Sequence, residues 1–97
     1  MTQTAEHGTG EVTTANLADE VSIEDALAVL DHFGDPMGRP ASGFQAALLE
    51  AISRADLGNQ SRLALGFPGM VRAYQAAAGE FDGMASLRNI ASWSSLS

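Results

Sequence analysis

Two residue types are missing from this 97-residue chain, cysteine and lysine. Without cysteine there are no disulfides, no thiolate metal sites and no cysteine nucleophile. Without lysine, arginine is the whole basic complement, five residues against twelve acids, for a formal charge of −7. Such a chain repels a phosphate backbone unless it presents a local basic face, which disfavours nucleic acid as a partner. Long apolar runs are missing too: no stretch nears the roughly 20 apolar residues of a membrane span. The start MTQTAEHGTGEV has neither the basic residues nor the apolar core of a signal peptide. The expectation is an intracellular protein without a membrane association.

Catalytic and cofactor-binding patterns are equally scarce. No phosphate loop, nucleophile elbow or paired-histidine helix motif occurs. Gly8-Thr9-Gly10 is too short for a phosphate-binding turn and no strand or helix follows it. The two histidines, His7 and His32, stand twenty-five residues apart with no ligand spacing between them. Beside Asp31, His32 reads as a helix-end residue whose charged form suits the negative end of the helix dipole. Glu20, Glu24, Asp25 and Asp31 lack the spacing of a calcium loop and read as a solvated helix face. No catalytic, cofactor-binding or metal-binding residue is therefore expected, and the chain reads as a non-enzyme.

What is present is unevenly distributed. Eight acids (Glu6, Glu11, Asp19, Glu20, Glu24, Asp25, Asp31, Asp35) and no arginine fall between Met1 and Gly38, whereas the remainder holds four acids and all five arginines. One half is acidic and the other nearly neutral. Alanine is the commonest residue, and with arginine in place of lysine this points to a genome rich in G and C.

Apolar periodicity predicts an all-α fold, a small three- to four-helix bundle behind an acidic N-terminal tail. Residues 1–21 show no apolar period and cannot offset the entropy of ordering, so they are expected to form a disordered acidic tail. The helical domain should span 22–93, with 94–97 frayed. About 75 ordered residues lie near the lower limit for independent folding, so a homodimer stays open.

The first helix should begin at a Ser22 cap, with Glu24 and Asp25 near the positive end of its dipole, carry Ile23, Ala26, Leu27, Leu30 and Phe33 as a stripe, and stop at Gly34. A second runs from Ser42 with Phe44, Ala47, Leu48, Ala51, Ile52 and Ala55 on one face. Asp56 caps a third that ends near Gly66, with Leu63 and Phe67 sharing a face. Phe67-Pro68 forms a corner, Phe67 buried and Pro68 starting a fourth helix whose stripe is Met70 or Val71, Tyr74, Ala77 or Ala78 and Phe81. The last segment, from Asp82 to about Trp93, places Met84, Leu87, Ile90 and Ala91 at helical spacing.

The segment GFQAALLEAISRADLGNQSRLALGFPGMVRAY, Gly43 to Tyr74, covers about a third of the chain. Through Phe44, Leu48, Arg54-Ala55-Asp56, Asn59, Arg62-Leu63, Gly66-Phe67-Pro68 and Val71 it resembles small proteins of unassigned function encoded by actinobacterial phages and prophages. The resemblance implies an actinophage origin, consistent with the arginine and alanine bias, and carries no activity or catalytic residues with it. It places the protein in the host cytoplasm or, as an alternative, in the virion.

Small size and the missing chemistry favour a protein that binds a host or phage protein through an apolar helix face, with the acidic N-terminal half aiding encounter. The candidate partner-binding residues are Glu20, Glu24, Asp25, Asp31, Tyr74, Phe81 and Trp93. The bland reading of the three aromatics is ordinary core. An acidic nucleic-acid mimic inhibiting a DNA-binding enzyme is an alternative, and a virion or assembly component a third. The second and third helices resemble a helix-turn-helix in outline, but only Asn59, Gln60, Ser61 and Arg62 would face a groove.

Overall fold

A computed structural model describes residues 17–93, and every regular element in that span is helical. A helical turn at 17–20 precedes α1 (Ile23–His32), α2 (Gly43–Arg54), α3 (Leu57–Gly66), α4 (Pro68–Gly79) and α5 (Gly83–Ser92). The all-α class is as the sequence predicts. The count is not: the described residues hold five helices of ten to twelve residues instead of three or four.

Helix α1 begins and ends where its residues dictate. The Ser22 hydroxyl accepts the Asp25 N–H at 3.0 Å, satisfying one of the first-turn donors. At the other end Gly34, at φ 80°, donates to the Asp31 carbonyl while Asp35 donates to that of Leu30, the paired bonds of a Schellman stop. The chain then folds back. Asp35 accepts from the Met37 N–H at 2.9 Å and from Arg88 Nε at 2.7 Å, tying the turn to α5. Gly38 lies directly against the backbone of Leu30 and Asp31, where no Cβ fits.

Helix α1 is the centre of the molecule, packed by α5, α4 and α2. Ala26, Leu27, Ala28, Val29 and Leu30 are all buried, so the expected single stripe is corrected to burial on every side. Phe33, at the end of that stripe, is instead exposed. Periodicity marks one face only when another faces water, and the middle of α1 has no such face.

The expected tail also needs correcting at its end. Leu17 and Val21 belong to the core, one helical turn apart and joined by the Val21 N–H to the Leu17 carbonyl at 3.0 Å. Two apolar residues in a single turn are too few to register as a period. Residues 1–16 and 94–97, to which the rest of the expected tail and the frayed end belong, lie outside the described residues.

Helix α2 opens with a full capping box: Ser42 Oγ accepts from the Gln45 N–H and Gln45 Oε1 from the Ser42 N–H, both at 3.1 Å. Its buried residues are Leu48, Leu49 and Ile52. The predicted face is thus rotated: Leu48 and Ile52 stay inside, Leu49 joins them, and Phe44, Ala47 and Ala51 are exposed. Asp56 caps α3 by accepting the Asn59 N–H at 2.8 Å, yet α3 buries none of its residues. Gln60 holds it to its neighbour, donating from Nε2 to the Ile52 carbonyl at the end of α2.

Phe67 is the shared cap between α3 and α4, and Pro68, with no N–H to lose, is the first residue of α4. Met70, Val71, Ala73 and Ala76 face inward, while Phe81 at the end of the predicted stripe is fully exposed. Gly83 starts α5 pressed on the Ala76 carbonyl, closer than any Cβ allows. Leu87, Ile90 and Ala91 complete the core, with Met84 packed at its margin. The alanines at 26, 28, 73, 76 and 91 let helix backbones approach closely around α1.

Candidate functional site

Apolar residues left outside the core are the first place to look for a site on a chain without catalytic motifs. Phe44 sits in the first turn of α2 and Phe67 at the α3–α4 corner, two segments far apart in sequence that the fold places side by side. Their rings lie 5.5 Å apart at 53°, and they are 62% and 40% exposed. The expectation that Phe67 is a buried anchor is corrected here: the corner forms, but its ring packs on Phe44 at the surface. Pro68 fixes where the backbone turns, and the turn leaves the Phe67 side chain at the surface.

Beside the paired rings lies a groove of about 340 Å³, lined by Phe44, Phe67, Leu48 and Met70 together with Asp25 and Gly69. Asp25 lies in the first turn of α1 and Gly69 in the first turn of α4. A Cβ at Gly69 would stand 2.6 Å from Asp25 Oδ2 and 3.1 Å from the Glu20 carbonyl oxygen, so a larger residue would push the carboxylate from this position. Burial pushes the Asp25 carboxyl above its ordinary value; a hydrogen bond with the Ser22 side chain acts the other way, and the neighbouring Glu24 charge adds to the rise. On the outer side of α3, Leu57 and Leu65 are 78% and 87% exposed.

The seven residues singled out from sequence are not gathered in one place. Asp25 is on the groove. Glu20 is bridged by Arg72 at 2.9 Å, and the same guanidinium bonds Glu80 at 2.6 Å, which raises the Arg72 pKa chiefly through Glu80. Glu24 and Asp31 are exposed on α1. Tyr74 is half-buried against Phe33 and His32, ring centroids 5.3 and 5.9 Å away. Phe81 and the more covered Trp93 flank α5, whose ten residues separate them by about 15 Å.

No family model, no curated protein and no solved structure matches the chain.

Sequence reasoning assigned Phe44 and Phe67 to the core and so missed the groove they form. The available signal was the poor apolar period of α3, which holds Leu57 and Leu65 with little to face them. Among the described residues no group of three or more His, Asp or Glu side chains is placed to hold a metal ion, and no helix is long and apolar enough to cross a membrane. In the helix-turn-helix outline, Gln60 is taken up by the Ile52 carbonyl and by Gln75, and Arg62 by Asn59. Few groups remain there to read a base edge.

Proposed function

We propose that this chain is a non-enzymatic interaction protein of actinobacterial phage origin, acting in the host cytoplasm by binding a host or phage protein. The observation that supports this reading is the exposed Phe44–Phe67 pair beside its groove. Aromatic residues held in place at a surface supply large contact area at small entropic cost, which is why they concentrate at the centres of interfaces. The exposed acids Asp19, Glu24 and Asp31 would act at longer range, on the rate of encounter.

The nucleic-acid mimic is less well supported, because Glu20 and Asp35 are already bridged by Arg72 and Arg88. A rigid acidic surface needs its charges free to meet a basic groove. A virion or assembly component would use the same apolar surface.

Affinity capture from an actinobacterial lysate tests the reading. Wild type should retain a protein that the Phe44→Ser/Phe67→Ser double variant loses and that Phe81→Ser keeps. Replacing Glu24 and Asp31 by Gln and Asn should slow association and flatten its salt dependence, with dissociation little changed. Retardation of DNA at physiological salt by the wild-type chain would sink the proposal.

A further inference from the structure

The Phe44–Phe67 groove carries a chemical signature beyond its apolarity. Its wall holds a carboxylate that two helix starts conspire to keep there: Ser22 caps α1 one turn before Asp25, and Gly69 withholds the Cβ that would displace it. The Ser22 hydroxyl is neutral, and Glu24 beside it carries the same sign of charge. The fold therefore sets a half-buried carboxylate on one groove with the two aromatic rings, Leu48 and Met70.

We infer that this groove receives an arginine or lysine side chain of the partner protein, its charged head on the Asp25 carboxylate and its aliphatic stem along the Phe44–Phe67 pair. The inference rests on the protein-binding reading above and names the chemistry that such a partner presents. Long cationic side chains match the site in both parts. Their methylene stems cover apolar surface while the head stays polar, and a guanidinium or ammonium near an aromatic face gains a cation–π attraction that grows as water is excluded. A charge-assisted hydrogen bond to the carboxylate adds to it.

The cation comes from outside the chain. Residues 1–16 and 94–97 contain no arginine and no lysine. Arg54, Arg62, Arg72 and Arg88 already contact Glu50, Asn59, Glu20 with Glu80, and Asp35, and Arg39 is likewise engaged within the fold. With a net charge of −7 on each chain, a second copy is also a poor electrostatic match.

The test is an amide chemical-shift titration of the full chain with acetyl-Leu-Arg-Leu-amide and with its citrulline counterpart, which keeps the shape and removes the charge. The arginine peptide should shift Phe44, Phe67 and Gly69 and bind about tenfold or more tightly than the citrulline peptide. Asp25→Asn, nearly isosteric, should erase that preference without lowering the melting temperature. Equal binding of the two peptides to wild type would overturn the inference without any variant. So would shifts spread over Glu24 and Asp31 that survive Asp25→Asn, or groove shifts that move with protein concentration, which would assign the groove to a second copy. If capture from lysate succeeds while the arginine preference is absent, the groove inference fails and the protein-binding reading stands. If the preference is present and the Phe44→Ser/Phe67→Ser variant still captures the protein, the partner binds elsewhere, and both the surface assignment and the inference fall.

Discussion

Helices α1 and α3 are each ten residues long and each is started by a side-chain cap, Ser22 for one and Asp56 for the other. Helix α1 then buries Ala26 to Leu30 without a break, whereas α3 buries no residue fully and sets only Leu63 and Ala64 against the margin of the core. Caps decide where a helix begins, worth about 1 kcal/mol, but a ten-residue helix in water is marginal without packing. The half of the molecule built on α1, α4 and α5 therefore holds most of the buried core, to which α2 adds Leu48, Leu49 and Ile52. The α2–α3 half leans on it and keeps Phe44, Leu57, Leu65 and Phe67 at the surface.

The strongest way to break this comparison is to truncate matching leucines. Leu30→Ala should cost about 2–5 kcal/mol in urea denaturation, because the side chain is fully buried at the centre of the core. Leu65→Ala should change stability by no more than about 0.5 kcal/mol. Comparable losses at the two positions would show that α3 is as structural as α1.

Gly83→Ala comes next. Its added Cβ collides with the Ala76 carbonyl at the α4–α5 junction, and forcing the helices apart should cost about 1–3 kcal/mol. The equivalent change at Gly79, which has open space around it, should be neutral or slightly stabilising, and equal melting temperatures for the two variants would contradict the close approach.

Phe67→Ala sharpens the boundary between the halves. A fully buried ring would cost about 3–5 kcal/mol; a ring 40% exposed and paired with Phe44 should cost about 1–2 kcal/mol, part of it shared with Phe44→Ala. A double-mutant cycle measures that shared part, and strict additivity would mean the two rings do not interact.

Two carboxylates at opposite ends of α1 respond to pH with opposite signs. Hydrogen bonds from Met37 and Arg88 hold Asp35 below its ordinary value of 3.8. Its contribution to stability is therefore complete above that value and lost as the pH falls through the lower, folded one. Asp25 is raised above 3.8 by burial, so the folded state resists its ionisation and its contribution improves as the pH falls from neutral towards 3.8. At pH 7 Asp35→Asn should melt below wild type and Asp25→Asn at or above it, the second difference closing as the pH approaches 4. Thermal melts between pH 3 and pH 7 read both signs.

Local chemistry made much of this readable from residues alone. Ser22, Ser42 and Asp56 cap, Gly34 stops α1 and Pro68 starts α4, because each acts through its own backbone and the next turn. The all-α class follows from the same periods. Which faces end inside is a different question, since a helix period says that one side is apolar and not what will cover it. Only the tertiary packing brought Leu17 and Val21 into the core, wrapped α1 on all sides, and rotated α2 so that Phe44 meets Phe67 at the surface. The placement of Asp25 on that groove is of the same kind: it depends on Gly69, in the first turn of α4, lying beside the first turn of α1, a contact between residues 44 positions apart that no local pattern encodes.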